Sequence, residues 1–361
     1  MEAAEYDLII VGAGPAGSAC AITAARSGAK VLLLEKDRFP RHKVCGEFVS
    51  PESLRLLEWL LDARRFESKP QINSARVFFG RKTTSIPISP AAHSIPRFEL
   101  DAELLAAARS SGALAQEEIT VRVVQQNEAF TVTTAAQTFK ARAVVNASGR
   151  WSQLTQHPVG NNNEKWIGLK AHFRETAPAP SVDLYFFEGG YCGVQPVAAD
   201  AVNACAMVRA SAARSLEDVF ALHPELSQRR RTWQKLFPTV TTSGLHFRKP
   251  QTQWQGMLMA GDAAGFIDPF AGDGISLALH GGALAAQSLL PFLQGRCSLE
   301  QARRQYHAAY MKQLAPAFRN AARVRMALSA PAFIRSMLLS LAAAKPFAST
   351  LVRATRIKPF Q

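Results

Sequence analysis

Two glycine-rich segments, far apart in the chain, hold most of its chemical information. The first is Gly12-Ala13-Gly14-Pro15-Ala16-Gly17, which follows the apolar run Leu8 to Val11. Glu35 stands 18 residues after Gly17, at the end of a second apolar run. In the order strand, loop, helix, strand, acid, each position has a task. Gly12 permits a tight turn, Gly14 lets a pyrophosphate approach the backbone, and Gly17 lets the helix lie close to the strand. The helix start offers free N–H groups and a positive dipole end to phosphate, and Glu35 is placed to accept hydrogen bonds from a ribose. The second segment is AGDAAGFIDPFAGDG, residues 260–274. Asp262 follows a short apolar run and can bind a ribityl hydroxyl. Pro269, Gly272 and Gly274 let backbone approach a flat ring at a helix start, where N–H groups stabilise negative charge on a reduced isoalloxazine. The pair of segments therefore specifies bound FAD. No second dinucleotide fingerprint is present, so a nicotinamide donor, NAD(P)H, is expected to bind transiently.

Other reactive residue types have two readings each. Cys45 is either a thiol near the flavin or a small residue in a close-packed loop. His280, on the helix after the second segment, is an acid or base or else structural. Glu47 and His42 stand in the loop after Glu35, where a proton carrier could sit. These make Cys45, Glu47 and His280 the catalytic candidates. Asp268 and Asp273 flank the flavin segment and suit turn and helix caps. Leu184, Phe186, Val194 and Val197 form an apolar stripe that lines a pocket or fills the core. The five cysteines, Cys20, Cys45, Cys192, Cys205 and Cys297, make no CxxC pair and no metal-ligand spacing with His, and no metal is expected.

The elements that must position these groups follow from periodicity and punctuation. Residues 6–11, 15–28 and 30–35 read as a βαβ opening, and 51–65 as a helix with Pro51 at its start. Strand-like stretches in 75–88 end in Pro-rich turns, and a helix spans 99–111. Three strands at 119–125, 129–134 and 137–146 form a meander. From 165 the texture changes to successive strands at 166–174, 182–187, 191–197 and 202–209, then a helix over 215–235. A buried strand at 256–260 precedes the flavin segment and a helix to about 290. Residues 298–361 read as helices broken at Pro316, Pro331 and Pro346. The domains interleave. Residues 1–70, 93–160 and 251–297 build a Rossmann-like α/β FAD-binding domain, 71–92 and 161–250 a smaller antiparallel-sheet substrate domain, and 298–361 a C-terminal helical segment.

With these motifs the sequence resembles the p-hydroxybenzoate hydroxylase-like superfamily, in its aromatic flavin monooxygenase and geranylgeranyl reductase branches. The loop from Arg38 to Glu47 (RFPRHKVCGE) is similar to the family's segment running past the adenosine toward the flavin. Arg97, in PRFELDAEL, is similar to a family arginine that contacts FAD. Residues 144–152, VVNASGRWS, resemble a segment linked to FAD and NAD(P)H use, with Ser148 where an aspartate is usual. The resemblance implies cofactor contacts from Gly12, Ala13, Gly14, Pro15, Ala16, Gly17, Glu35, Lys36, Arg41, Cys45, Gly46, Arg97, Asp262, Pro269, Gly272 and Gly274. It implies a monooxygenase that hydroxylates an apolar or aromatic secondary metabolite through a flavin C4a-hydroperoxide. The alternative is a geranylgeranyl-reductase-like enzyme reducing isoprenoid C=C bonds, toward which the KVCGE loop and the GGYCGVQP stretch lean. A flavin-dependent halogenase is third, although its Trp-x-Trp-x-Ile-Pro signature is absent.

The net charge of +14 is concentrated at one end. Residues 296–361 hold twelve Lys or Arg against the single acid Glu300, which places about +11 there. Such a cluster is either a solvated helix surface or a contact for something anionic, a membrane surface or an acidic carrier protein. Nucleic acid is not expected, for want of a binding motif. The apolar positions from Phe333 to Val352 would suit an interfacial surface and a prenylated or long-chain substrate. With no signal segment and a reduced cysteine pattern, the expected location is cytoplasmic, or peripheral at a membrane.

Overall fold

The computed structural model describes residues 5–61, 66–80, 82–150, 153–155, 165–245 and 247–328. The first strand, β1 (Tyr6–Val11), is buried along nearly its whole length, as a continuous apolar run requires when both faces of a sheet are covered. It enters α1 (Pro15–Arg26) with Pro15 in the first turn, where its fixed φ suits the helix and no needed N–H is lost. β2 (Val31–Leu34) returns parallel to β1, setting Ile9 opposite Leu32. Then come β3 (Phe48–Val49), α2 (Pro51–Leu60), the long hairpin of β4 (Gln71–Phe79) and β5 (Lys82–Ser94), and α3 (Arg97–Ser110). β6 (Leu114–Gln116) adds to β2 in parallel. β7 (Val123–Gln126), β8 (Phe130–Thr133) and β9 (Thr138–Asn146) form the meander, and β9 lies parallel beside β1.

The second half opens with β10 (Trp166–Arg174), β11 (Ser181–Phe187), β12 (Gly190–Ala198) and β13 (Ala201–Arg209). Two short helices follow, α4 (Leu216–Ala221) and α5 (Pro224–Arg229), then β14 (Gln234–Lys235) and β15 (Val240–Ser243). β16 (Gln253–Trp254) and β17 (Met257–Met259) return the chain to the first sheet. α6 (Gly274–Leu293), α7 (Leu299–Gln313) and α8 (Ala315–Leu328) complete the described residues.

The fold is the α/β arrangement expected, with two sheets and C-terminal helices. The first sheet runs β16-β17-β9-β1-β2-β6, with the β7–β8 hairpin attached to β9. The second runs β14-β10-β13-β12-β11-β4-β5-β3, with β15 also pairing β10. The hairpin inserted at 71–94 thus joins the strands of 166–243, through a parallel pairing of β4 with β11. Helices α1, α3 and α6 pack over β1 and share one core with Tyr306 and Tyr310 of α7. The Tyr306 hydroxyl donates to the Met259 carbonyl at 2.7 Å, which ties α7 to β17. By length and composition α6 is apolar enough to cross a membrane, but 78% of that window is buried within the protein, as befits a core helix.

Three local expectations need correction. The region 215–235 is not one helix. Pro224 has no N–H to continue α4, so it starts α5 instead, and the chain ends in a 3-10 turn and β14. Pro87 of β5 makes no turn, whereas Pro90 falls where the pairing with β4 shifts register between Ile72 and Ser74. Pro87 lies opposite Ser74 within the hairpin, and β3 covers only His93 and Ser94 on the far side. Along this stretch β5 is an edge strand, where a missing N–H breaks no ladder. The helix at 51 stops at Leu60 rather than 65. The breaks at Pro331 and Pro346, and the apolar and basic positions beyond residue 328, lie outside the described residues.

Candidate active site

The loop after β1 is shaped by close approach. Gly12 has φ +98°, and a Cβ there would stand 2.5 Å from the Ala147 carbonyl oxygen. A Cβ on Gly17 would collide with the Gly12 carbonyl oxygen. At Gly14 the situation is reversed: a Cβ would meet only Arg97 Nη2, at 3.9 Å. Gly14 is the N-cap of α1, no side chain caps it, and no acid stands in the first turn. The free N–H groups of α1 therefore face open space, which is the cradle a pyrophosphate needs. Glu35 holds the loop in shape. Its Oε2 accepts from the Ala13 N–H at 2.7 Å and its Oε1 from the Asp37 N–H at 3.0 Å. Each oxygen keeps a second lone pair for a ribose hydroxyl.

A cavity of about 360 Å³ lies beside this loop, within the range of small-molecule sites. One wall contains Gly14, Pro15 and Ala16 of α1, the Lys43–Phe48 loop, Arg97, and Asp262, Pro269, Gly272 and Gly274 of the second segment. Gly272 sits at φ +72°, with the Phe48 ring 3.1 Å from where a Cβ would be. Of the other expected cofactor contacts, Gly12, Ala13 and Gly17 shape the turn behind this wall. Glu35, Lys36 and Arg41 do not line the cavity. Lys36 is exposed beside Asp37, and Arg41 pairs with Asp101 at 3.2 Å and Asp37 at 3.1 Å. Arg97 grips Asp101 through two hydrogen bonds, of 2.6 and 2.7 Å. Burial opposes the charge on this guanidinium, but Asp101 more than offsets it and raises its pKa.

The Cys45–Glu47 loop is fixed from several directions. Glu47 is fully buried at φ 64°, a left-handed conformation that L residues rarely take. Its Oε1 accepts from the Arg97 N–H at 2.8 Å and from the Lys170 ammonium, and its Oε2 lies 2.7 Å from His172 Nε2. Burial pushes its pKa up, yet the hydrogen bond from His172 and the charge of Lys170 outweigh this and hold it low. An ionised carboxylate so engaged positions the loop and is not free to carry protons. Asn203 Nδ2 donates to the carbonyls of both Cys45 and Gly46, at 3.0 Å each. Cys45 lines the cavity, half-buried, and its Sγ accepts from the Glu47 N–H at 3.3 Å. His42 does not line the cavity; it stacks 3.7 Å from Phe237 and 4.9 Å from Phe98.

His280 also stands apart from the cavity. It is buried and hydrogen-bonds the backbone at Glu52, and burial pushes its pKa down to about 4. It ties α6 to α2. Asp268 caps the turn at Pro269, its Oδ1 accepting from the Phe270 N–H at 3.3 Å, and Asp273 stands at the N-cap of α6. Ser148 donates to Asn146 Oδ1 at 2.5 Å. In the apolar stripe, Leu184 and Phe186 line the cavity, whereas Val194 is buried in a separate core on the opposite face of the sheet. All five cysteines are free.

Several site residues escaped the sequence reading. Lys43 lines the cavity, and burial, with Arg97 and Arg41 adding to it, pushes its pKa down to about 8. Arg150 lies 3.6 Å from Asp262 and 4.2 Å over the Phe266 ring. Lys170, Gln195 and Asn203 are polar side chains inside strands that read as merely apolar. The one sequence signal was a lysine and an asparagine in the middle of buried strands, where a partner is obligatory.

A family model described as FAD binding domain matches residues 5–323. The chain belongs to that family. It is an FAD-dependent enzyme of the p-hydroxybenzoate hydroxylase-like superfamily, and the Gly14 cradle and the glycines of 260–274 fit such a cofactor. Among curated relatives, a 1H-pyrrole-2-carbonyl-(peptidyl-carrier protein) brominase of Pseudoalteromonas luteoviolacea is 24% identical over 325 residues, covering 80% of this chain and 78% of the relative. A menaquinone reductase of Mycolicibacterium smegmatis is 27% identical over 320 residues, covering 78% and 75%. Among solved structures, a geranylgeranyl bacteriochlorophyll reductase-like protein of Thermoplasma acidophilum superposes with a TM-score of 0.74 at 21% identity, over 97% of this chain and 91% of that one. This last likeness shows the shared fold.

Proposed function

We propose that the protein is an FAD-dependent monooxygenase that hydroxylates an apolar or aromatic small molecule, with NAD(P)H as transient electron donor. One observation carries this reading. Among the described residues, the cavity's ionisable side chains other than thiols and Tyr191 stand on the wall built by the FAD-binding segments and the Lys43–Glu47 loop. The facing strands present Val77, Ile86, Leu184, Phe186 and Met207, with Gln195, Tyr191 and Thr242 as neutral polar groups. Bound FAD supplies the electrons and the oxygen chemistry. This chain's residues exclude water from the substrate side, hold an apolar ring against the sheet, and keep proton carriers away from it. Burial holds the Tyr191 phenol well above its ordinary pKa, so it stays neutral and can donate a hydrogen bond to a substrate oxygen.

The similarity to a menaquinone reductase, with the Cys45 thiol opening into the cavity, favours a second reading. Here reduced FAD delivers hydride to one carbon of a C=C bond and a thiol proton goes to the other. The test is to reduce the holoprotein anaerobically, then mix it with heavy-oxygen-labelled dioxygen and a panel of phenols and prenylated compounds. The expected result is one labelled oxygen atom in the product per NAD(P)H consumed. Anaerobic reoxidation of the flavin by an olefin would overturn it in favour of reduction, and a product that forms only with added halide would overturn it in favour of halogenation.

A further inference from the structure

The floor of the cavity grades from hydrocarbon to polar along its cross-strand rows. One row runs Val77, Leu184, Gly193, Cys205 and Lys170, each opposite the next across β4, β11, β12, β13 and β10. It begins in branched hydrocarbon; Cys205 is its last residue to line the cavity, and the buried lysine bound to Glu47 lies beyond it. A neighbouring row holds Ile86, Ala75 and Val182 at the β5 end. At the β10 end Gln195 lines the cavity, and Asn203 and His172, which do not, follow it across β13 and β10. Six adjacent strands, from β5 to β10, contribute lining residues. Five strand spacings of about 4.8 Å make that floor about 24 Å across, long for a single aromatic ring.

The hydrocarbon end is also incompletely covered. Ala75, Val77, Val182 and Leu184 are interior strand residues, yet all four are only half-buried. Ala75 is the smallest of them and makes a trough between Ile86 and Val182. No polar side chain lines the cavity from β4, β5 or β11. Hydrocarbon wetted in this way is stabilised when an apolar ligand displaces the water.

We propose that the β5–β4–β11 part of the floor is a subsite for an extended hydrocarbon tail, alkyl or isoprenoid, on a substrate whose reactive head lies toward Cys45 and Gln195. The assignment rests on the cavity being the active site of an FAD enzyme. It adds the class of substrate: an amphiphile with a small oxygenated or unsaturated head and a long tail.

Binding to the oxidised holoprotein tests the subsite without turnover. Phenols with alkyl tails lengthened two carbons at a time, and a matched prenyl series, are titrated by the perturbation of flavin absorbance and by calorimetry. Affinity is expected to rise about fourfold per buried methylene until the trough is filled, in one or both series. Ala75→Phe should plug the trough and lower the long-tail to short-tail affinity ratio by about tenfold or more, given that two to three methylenes are displaced. Val77→Thr, nearly the same size, should lower the ratio in the same direction and guards against a misfolded phenylalanine variant. A flat dependence on tail length in both series would overturn the subsite, as would a ratio unchanged in both variants. Oxygenated product with tail-independent affinity refutes the tail and leaves the monooxygenase reading standing. Tail-dependent affinity with no oxygen incorporated does the reverse.

Discussion

Replacing Lys170 by Met asks whether Glu47 is the anchor that holds the Cys45–Glu47 loop against the second sheet. Both side chains are fully buried. The variant leaves a buried carboxylate with only His172 and the Arg97 N–H as donors. Removing one partner of a buried pair costs about 3–5 kcal/mol, because the other charge is left uncompensated. For 361 residues, an unfolding entropy of about 2.1 cal/mol/K per residue sums to about 0.76 kcal/mol/K, so Tm should fall by about 4–7 °C. Glu47→Gln should cost a similar amount by stranding the lysine. The double variant Lys170→Met/Glu47→Gln removes both charges and should be milder than the sum of the two by about 1–3 kcal/mol. The pH dependence is fixed in sign. The Glu47 pKa is held below its ordinary value of 4.5, so its contribution is present above that pH and is lost as pH falls through the folded-state value. The stability gap between wild type and Glu47→Gln should therefore narrow in acid. Chemical denaturation of the four proteins from about pH 2.5 to 7 measures all of this. Strict additivity, or wild-type stability in either single variant, would refute the anchoring role.

Three further outcomes follow from the same geometry. Gly14→Val should fold but lose FAD, since its Cβ would enter the open cradle with only Arg97 Nη2 within 4 Å; Gly17→Val should fail to fold because its Cβ collides with the Gly12 carbonyl. Circular dichroism and flavin content of the purified proteins distinguish the two. With the Lys43 pKa at about 8, a bound pyrophosphate favours the charged ammonium. The affinity of the apoprotein for FAD should thus fall as pH rises through about 8, and Lys43→Met should flatten that dependence in a fluorescence titration. Burial raises the Asp268 pKa from 3.8 to about 6, so its ionisation opposes folding as pH climbs through that window. Asp268→Asn should gain on wild type by about 2–3 kcal/mol between pH 3.5 and 7 in urea denaturation.

The cofactor side of the site was legible because its chemistry is local. Gly12, Gly14 and Gly17 each do one thing, within one turn, and the spacing to Glu35 is set by a single helix. The other side was not, for two reasons. Glu47 draws its partners from positions 50, 123 and 125 residues away, and no local pattern announces such a convergence. His280 lies only six residues past Gly274, but at about 100° per residue it stands roughly opposite Ile275 and Ala278, which do line the cavity. Its closeness in sequence was therefore misleading. Strand alternation marked Leu184, Phe186 and Val194 as one apolar set. Which face each presents depends on the register of β11 against β12, where Leu184 opposes Gly193 and Asp183 opposes Val194. That register puts Val194 on the far face.

The same contacts explain how the two walls of the cavity act on each other. Lys170 reaches from the sheet to Glu47, and Glu47 holds the N–H of Arg97. The Arg97 guanidinium grips Asp101, and Asp101 also pairs with Arg41 of the loop that follows Glu35. This is an unbroken line of ion pairs and hydrogen bonds from the substrate floor to the cofactor wall. Arg97 lies over the space left at Gly14, so a shift of Glu47 on losing its lysine partner carries with it the Arg97 N–H it still holds and loosens one side of the phosphate cradle. Lys170→Met, which alters no cofactor-facing atom, should therefore weaken FAD as well as the fold. Lys235→Met, which breaks an exposed pair with Glu217 on the far side of β10, should leave FAD affinity unchanged. An equal loss of FAD in both variants would mean that the effect is general destabilisation and that the line of contacts carries nothing.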